Sequence, residues 1–520
     1  MTEHKSSLTL RMLLVSSGIL VSRVLGLLRD VVFAYVFGTG KGLAAFVIAN
    51  TFPNLLRHLF GEGAFSNAMV PVFSNSLERE GCERAWKGAC RVISVLIVAV
   101  SALVVVGIIG VLMLRPWLTG ELGRLTLDLT PWLLPYAVLV CVSAALAAVL
   151  NSVGRFGIAA YSQTIMNFAL ITAALIAGLS AREDGDASRV WFLVAGVLAA
   201  GILQVVFHIR AARNSFGAFR FSFGWSDPMV RRVSGLMLPG LLGAGVMQVN
   251  VVADRLLAGW LGEVETTSLY FSQRLIYLPV GLFGVAMGMV ALPMMSRSWA
   301  RRERELMEGS LEAAFRQVLF LTLPAAALMG ALRLEVIQLL FERGGFVAES
   351  TRATAWALLF YLPGIPAFAC AKIAVTPFYA RQDTMTPVKA AVFCMVLNIL
   401  LNLLLMRFLA QGGLALATTI SSSLNVLILL ILTARELGGG ILLRILKGLI
   451  KILPAAALAF LAAAGVAAWL EEIFGEGWLS LMTRIAAALA AGGVIYLLVC
   501  SALGCREPRE MIGGLRRRNG

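Results

Sequence analysis

Charge is scarce in this sequence. Asp, Glu, Lys and Arg together make up 14% of the 520 residues, whereas hydrophobic residues make up 59%. Soluble domains usually contain about 25% charged and about 45–50% apolar residues. A soluble core could not bury this much apolar surface, so the composition excludes a soluble protein and predicts an integral membrane protein.

Motifs for catalysis and for structural metals are also missing. The sequence has no P-loop, no GxSxG and no HExxH motif, and its three histidines, His4, His58 and His208, are far apart. Its seven cysteines include no CxxC pair, so they do not read as a metal site or a disulfide framework. We therefore expect no enzyme, and no cofactor apart from the cation discussed below.

Long apolar segments are abundant. The first of them, 9–38, is far longer than a signal-peptide core and has no obvious cleavage site. The second, 43–74, contains Pro53 and two glycines, which predicts a broken helix facing protein or a wet cavity. At about 20 residues per span, we expect an all-α integral membrane protein with about 14 transmembrane helices, at 9–38, 43–74, 89–114, 128–151, 157–181, 190–209, 233–260, 267–295, 312–333, 352–378, 386–408, 412–434, 446–470 and 480–503.

The loops differ in charge on the two sides of the membrane. With the N-terminus inside, the predicted cytosolic loops are rich in arginine and lysine, whereas the opposite loops, 182–189, 262–268 and 471–478, are acidic or mixed. The positive-inside rule then predicts that both termini are cytosolic. Most of the formal net charge of +15 is explained by this topology. A patch that binds nucleic acid is the less supported alternative, and no nucleic-acid partner is expected.

The sequence repeats itself at a nearly constant distance. Asp30 and Asp254 are 224 residues apart, the two LFG tripeptides at 59–61 and 282–284 are 223 apart, and Arg155 and Arg381 are 226 apart. We expect two homologous six-helix lobes, 1–215 and 230–435, related as parallel repeats because six is even. The remaining segment, 446–503, would form helices 13 and 14, either as a groove for a lipid tail or as packing helices only.

Several arginines lie inside the predicted spans, where each costs about 2.5–3.5 kcal/mol at the helix centre. Arg23 and Arg57 lie near the middle of the first two spans, and Arg29 and Arg274 lie further out. Pairing within the segments, Arg23 with Asp30 and His58 with Glu62, is one explanation. The alternative that we favour is a wet cavity with positive walls, suited to phosphate because the guanidinium donates two parallel hydrogen bonds.

A second polar cluster is predicted in the later spans. Asp254 lies deep in the seventh span, Asn398 and Asn402 share one face of the eleventh, and Thr418 lies in the twelfth. One carboxylate with amide and hydroxyl oxygens suits a small hard cation such as Na⁺. Pairing of Asp254 with Arg255, or hydrogen bonds between helices, is the alternative explanation.

Five stretches resemble a known family. SRVLGLLRD, FPNLLRHLFGEGAFSNAMVPVF, SQRLIYLPVGLFGVAMG, LPMMS and FYARQDTMTPVK are similar to the MurJ (MviN) family of lipid II flippases, in the multidrug/oligosaccharidyl-lipid/polysaccharide exporter superfamily. The resemblance implies a transporter of the bacterial inner membrane. It would move the undecaprenyl-pyrophosphate-linked disaccharide-pentapeptide precursor of peptidoglycan from the inner to the outer leaflet by alternating access.

The resemblance also implies a headgroup site. The essential cavity arginines of the family correspond to Arg23, Arg29, Arg57 and Arg274, and the acid of its EGAF motif corresponds to Glu62. With Asp30, these residues form the candidate substrate-binding set. In one departure, Ala44 stands where family members often carry an acid in the second helix.

Two other classes of function stay open at this point. A cation-coupled multidrug antiporter of the same superfamily would be expected to line its cavity with acids and aromatics rather than arginines. A scaffold in a cell-wall complex would not need a charged cavity. The candidate partners are lipid II, membrane lipids and other proteins of cell-wall synthesis, and the membrane potential or a cation gradient is the candidate energy source.

Overall fold

The computed structural model describes residues 2–61, 64–118, 120–180, 185–437, 440–475 and 477–508. Within these residues the regular structure is entirely helical, which confirms the predicted all-α class. The chain divides into two compact units. Unit 1 comprises Met1–Thr267 and the short segment Arg343–Phe346, and unit 2 comprises Ser268–Glu342 and Val347–Gly520.

In its described residues, unit 1 contains ten complete helices, a π-helical turn and a 3₁₀ turn. The π-helical turn is Arg57–Gly61, the 3₁₀ turn is Arg115–Trp117, and the following helix crosses the boundary between the units at Thr267. The ten helices are α1 (Thr2–Phe37), α2 (Lys41–Ala49), α3 (Thr51–Leu56), α4 (Ala64–Glu80), α5 (Cys82–Leu114), α6 (Glu121–Leu133), α7 (Pro135–Ser152), α8 (Phe156–Leu179), α9 (Gly185–Phe216) and α10 (Pro228–Leu261).

Unit 2 repeats this helical character. It contains a second π-helical turn, Val280–Gly284, and a 3₁₀ turn, Leu362–Gly364. Its helices are α11 (Glu263–Pro279, from Ser268 onwards), α12 (Val285–Ala300), α13 (Arg304–Ala331), α14 (Arg333–Phe341), α15 (Ala348–Tyr361), α16 (Ile365–Ala374), α17 (Thr376–Ala380), α18 (Met385–Leu409), α19 (Gln411–Leu437), α20 (Gly440–Phe474) and α21 (Trp478–Ala502).

The predicted spans largely match these helices. Within the described residues, eleven helical stretches are long and apolar enough to cross a membrane, and each overlaps one of the fourteen predicted segments. The other three predicted segments are 9–38, 43–74 and 233–260. The first and last of these still fold as the unbroken helices α1, of 36 residues, and α10, of 34 residues.

The segment 43–74 is broken, as the sequence predicts. α2 ends at Ala49 and α3 begins at Thr51, and Pro53 lies in the first turn of α3, where a missing backbone N–H costs little. The side-chain amide of Asn54 donates to the carbonyl of Asn50 at 2.9 Å. A π-helical turn, Arg57–Gly61, follows α3 directly, so the segment is interrupted at Asn50 and changes from α to π geometry at Arg57.

Each unit has its own apolar core. In unit 1 the core joins α4, α5 and α7, with Phe65, Met69 and Phe73 fully buried. In unit 2 one core joins α12, α13, α16 and α19, with Met295 and Phe315 buried at its centre. The C-terminal helices pack on α13 in unit 2, where the Tyr496 hydroxyl donates to the carbonyl of Phe320 at 2.6 Å. The two units are defined by packing and not by internal similarity. The boundaries of the repeats, expected at 215 and 230, therefore stay a prediction.

A short strap completes unit 1. The segment Arg343–Phe346 lies against the C-terminal end of α1, where the Gly345 N–H donates to the carbonyl of Tyr35 at 2.8 Å. Gly38 has a φ of +57°, and a Cβ there would lie 2.0 Å from the carbonyl oxygen of Gly345. Only glycine permits this close approach of two backbones.

Candidate functional site

Arg29 is held by a polar cluster within unit 1. Its Nε and Nη2 donate to Oδ1 of Asp30 at 3.1 and 2.8 Å, and its Nη1 donates to Oδ1 of Asn167 on α8 at 3.0 Å. The amide of Asn167 in turn donates to the carbonyl of Ser22 at 2.9 Å. All three nitrogen atoms of the guanidinium therefore donate hydrogen bonds within unit 1, which fixes the orientation of the side chain.

This arrangement corrects one expectation from the sequence. The sequence analysis considered Asp30 only as a partner of Arg23, but in the structure Asp30 accepts hydrogen bonds from Arg29. The Asp30 side chain is only 4% exposed and the Arg29 side chain 13% exposed, so the pair is largely shielded from solvent. Arg29 therefore adds less uncompensated positive charge than the sequence suggested, and its role is that of an arginine positioned by a neighbouring carboxylate.

Arg23 lies two turns earlier on the same helix. It is exposed on the surface of unit 1, in contrast to the largely buried Arg29. Gly26 lies between them in an α-helix without interruption, and the nearest atom to a Cβ at that position would be the amide nitrogen of Asn167 at 3.8 Å. The glycine thus leaves room for the Asn167 bridge.

Arg57 begins the π-helical turn of unit 1. Its Nη2 lies 3.3 Å from Nε2 of His58. The turn ends at the buried Gly61, whose hypothetical Cβ would lie 3.3 Å from the Cβ of Ala144 on α7. π-helical turns are rare and are often found at functional sites. Glu62, and with it the predicted pairing of His58 and Glu62, lies outside the described residues.

Arg274 belongs to unit 2. Its guanidinium carbon lies 4.6 Å from the ring centroid of Tyr270, one turn earlier on α11, and the arginine is otherwise exposed. The neighbouring Gln273 donates to the hydroxyl of Tyr361 at 2.9 Å, which anchors this part of α11 to α15. The aromatic face attracts the cation and limits the directions in which the arginine can point.

A chain of amides and hydroxyls joins α18 to α19 in unit 2. The Asn402 amide donates to Oδ1 of Asn398 at 2.9 Å, and the Asn398 amide donates to the Ser421 hydroxyl at 3.1 Å. Ser421 in turn donates to the carbonyl of Thr418 at 3.2 Å. Asn398 and Asn402, two of the four residues predicted to bind a cation, therefore lie in one buried cluster with Ser421. The third, Thr418, is half-buried and joins the cluster through its backbone carbonyl, while its hydroxyl donates to the carbonyl of Leu414 at 3.0 Å. The fourth, Asp254, lies on α10 in unit 1, and its membership of the set stays a prediction.

Two residues of these clusters escaped the sequence analysis. Asn167 is separated from Arg29 by 138 positions, and Ser421 lies three positions after Thr418. A single asparagine in the apolar segment 157–181 was a usable signal, because buried amides in membrane helices bind other helices. Ala44, at the position where the family often has an acid, is fully buried in α2.

The chain is similar over most of its length to one described family. A family model for the lipid II flippase MurJ matches residues 33–487. A probable lipid II flippase MurJ of Vibrio cholerae is 33% identical over 435 residues, which cover 80% of this chain and 81% of that protein. A probable lipid II flippase MurJ of Haemophilus influenzae is 33% identical over 432 residues, covering 79% and 83%.

Solved structures share the fold. A lipid II flippase MurJ in an inward closed conformation superposes with a TM-score of 0.76 at 24% identity, and the match covers 96% of this chain and 100% of that one. An inward-facing multidrug resistance MATE family transporter of the MOP superfamily superposes with a TM-score of 0.66 at 14% identity, covering 80% and 95%. At these identities the likeness concerns the fold alone.

Proposed function

This chain belongs to the lipid II flippase MurJ family, and from that premise we propose that it carries lipid II from the inner to the outer leaflet of the bacterial cytoplasmic membrane. Its activity is transport rather than catalysis, and it is a multi-pass protein of the inner membrane. The cargo is the undecaprenyl-pyrophosphate-linked precursor of peptidoglycan. The polar headgroup cannot cross hydrocarbon unaided, because each unsatisfied polar group costs several kcal/mol there.

The oriented guanidinium of Arg29 is the observation that best supports this proposal. An arginine inside a membrane helix is costly, so its presence there indicates a functional site. Here Asp30 and Asn167 keep its guanidinium fork in place. Asp30 neutralises Arg29 while the site is empty. The diphosphate of the headgroup then competes with Asp30 for the guanidinium, and Arg23, Arg57 and Arg274 are further candidate contacts.

The membrane orientation predicted from the loop charges is also part of the proposal. Both termini are cytosolic in this proposal, because arginine and lysine concentrate in the loops on that side. Cys82 is an exposed thiol at the start of α5. A membrane-impermeant maleimide should therefore label Cys82 only after the cytoplasmic membrane is opened. Labelling of Cys82 in intact spheroplasts would show that the orientation is the opposite of the proposed one.

Na⁺ is the proposed coupling ion. The support is the buried cluster of Asn398, Asn402 and Ser421, together with the backbone carbonyl of Thr418, since amide, hydroxyl and carbonyl oxygens are suitable ligands for hard cations. A bound ion shifts a conformational equilibrium only by its different affinity for the two states. Removal of Na⁺ should therefore slow repeated cycles of transport and leave the first binding of lipid II unchanged.

Reconstituted transport tests both proposals. Purified protein in proteoliposomes should flip lipid II, and the substitutions Arg29→Ala and Arg274→Ala should each reduce the rate at least about tenfold, because each removes one charge-assisted contact to the headgroup. Arg213→Ala, which removes an exposed arginine at the end of α9, is the matched control and should keep the rate. Equal rates in all variants would refute the headgroup role, and indifference to Na⁺ in the parent protein would refute coupling.

A further inference from the structure

A cavity lies in unit 2, at the turn between α12 and α13. Its volume is about 560 Å³, within the range of about 300–1,000 Å³ that is typical of small-molecule sites. None of its residues belongs to the candidate headgroup or cation sites. The lining, called here the 298–307 pocket, consists of Ser298, Trp299, Ala300, Arg302, Glu303, Arg304 and Met307.

The turn that forms the pocket has an uncommon backbone. Arg302 has a φ of +60°, a conformation that residues other than glycine rarely adopt. The turn is held by backbone hydrogen bonds from Arg302 to the carbonyl of Trp299 at 3.0 Å and from Glu303 to the carbonyl of Ser298 at 2.9 Å. Conformations of this kind concentrate at binding sites, where the surrounding structure maintains them.

Trp299 is fixed as one wall of the pocket. The guanidinium carbon of Arg381 lies 5.8 Å from the centre of the Trp299 ring and 4.8 Å from that of Phe378. Arg381 also donates from Nε to the carbonyl of Pro377 at 3.1 Å and forms an ion pair with Glu436. Its charge is thus compensated by Glu436, and its guanidinium lies beside the indole ring of Trp299.

The carboxylate of Asp383, two residues after Arg381, is engaged by the residues that follow it. Asp383 accepts hydrogen bonds from the hydroxyl and the backbone N–H of Thr386 and from the N–H of Met385, and these bonds lower the pKa of Asp383. By contrast, Arg302, Glu303 and Arg304 are exposed, and within the described part of the chain the two arginines form no ion pair. The pocket therefore presents two available cations and one available carboxylate.

We propose that the 298–307 pocket binds the headgroup of a membrane phospholipid that carries a hydrogen-bond donor beyond its phosphate. Arg302 and Arg304 hold the phosphate, for which the guanidinium fork is suited. Glu303 accepts from the terminal ammonium of phosphoethanolamine or a hydroxyl of phosphoglycerol, and Trp299 packs beside the headgroup, as tryptophan does at membrane interfaces. The stretch 297–304 contains four arginines, and the predicted topology assigns it to the cytosolic surface.

The simpler explanation is that these arginines only set membrane topology. In that case the number of positive charges matters and their position in the turn does not. The sequence offers a matched pair of double substitutions. Arg302→Gln with Arg304→Gln removes two charges from the pocket lining, and Arg297→Gln with Arg301→Gln removes two charges from the same turn but outside the lining.

Native mass spectrometry of the purified full-length protein provides the measurement. The probes are dioctanoyl phosphatidylethanolamine, phosphatidylglycerol and phosphatidylcholine, with inorganic phosphate as the free anion. We expect saturable binding of one phosphatidylethanolamine or phosphatidylglycerol, which the pocket substitutions weaken about tenfold and the control substitutions by less than about twofold. Phosphatidylcholine, which has no donor beyond its phosphate, should bind less tightly, and Glu303→Gln should remove that preference.

Three results would overturn the proposal. Equal loss in the two double variants would mean that general surface charge attracts the lipid. If the parent protein binds phosphatidylcholine as tightly as phosphatidylethanolamine and phosphatidylglycerol, Glu303 does not recognise a donor on the headgroup. Inorganic phosphate that binds as tightly as the lipids would make this an anion site without lipid recognition. Because lipid II transport is measured separately, retained flipping in the pocket variants shows that they fold.

Discussion

The two π-helical turns occupy corresponding places in the two halves of the sequence, yet they differ in charge. The turn of unit 1, Arg57–Gly61, has the sequence RHLFG, and the turn of unit 2, Val280–Gly284, has the sequence VGLFG. Their separation of 223 residues is the offset of the LFG repeat. Both end at a glycine packed on an alanine, Ala144 in unit 1 and Ala369 in unit 2.

This comparison separates a backbone feature from a chemical one. The π-helical geometry and the closing glycine occur in both units, so they belong to the shared architecture of the repeat. The arginine and histidine occur only in unit 1, where they open the turn. The shared geometry therefore does not require the charge of the first turn, and we predict that this charge serves transport.

The two glycines also differ in how tightly they pack. A Cβ at Gly284 would lie 2.6 Å from both the Cα and the carbonyl oxygen of Ala369, which are backbone atoms. A Cβ at Gly61 would lie 3.3 Å from a side-chain methyl group, that of Ala144. A methyl group can shift by a few tenths of an ångström, whereas the backbone of a packed helix cannot do so cheaply.

The largest expected effect comes from this difference. Gly284→Ala should prevent most of the protein from accumulating in the membrane, because overpacking against backbone costs about 1–3 kcal/mol or more. Gly61→Ala should accumulate normally or nearly so. Immunoblots of membrane fractions measure both, and Gly235→Ala, with open space around the added Cβ, is the control. Similar levels for the two variants at 61 and 284 would contradict the packing argument.

The second prediction concerns charge. Arg57→Ala should reduce lipid II flipping at least about tenfold while the protein remains in the membrane, since the proposed contact to the substrate phosphate would be lost. Val280→Ala changes the corresponding position of unit 2 and should keep flipping within about twofold per molecule of protein. A proteoliposome assay normalised to protein measures both rates. If the two substitutions reduce flipping equally, the asymmetry is not functional.

The sequence predicted some of these features and missed others for identifiable reasons. The membrane spans could be predicted from long apolar segments, and the family could be recognised from long motifs. Both signals lie in contiguous stretches of the sequence. The break in segment 43–74 was signalled by Pro53, but its π-helical geometry depends on packing against α7, which no local pattern encodes. The pairing of Arg29 with Asp30 was missed because adjacent helical residues do not normally face each other, and Asn167 reaches Arg29 from a distant helix.

The smallest expected effect concerns the turns that follow α7 and α17, near Arg155 and Arg381 of the repeat. Unit 1 uses Gly154 with a φ of +78°, and unit 2 uses the exposed Gln382 with a φ of +62°. A side chain in this left-handed conformation costs about 1–2 kcal/mol. Replacing it by glycine removes this strain, but glycine loses about 0.5–1 kcal/mol more backbone entropy on folding, which offsets part of the gain. Gly154→Ala should therefore lower the melting temperature in detergent, and Gln382→Gly should raise it slightly. A decrease in both variants would mean that Gln382 makes contacts worth more than its strain, and that the two turns are not equivalent in energy.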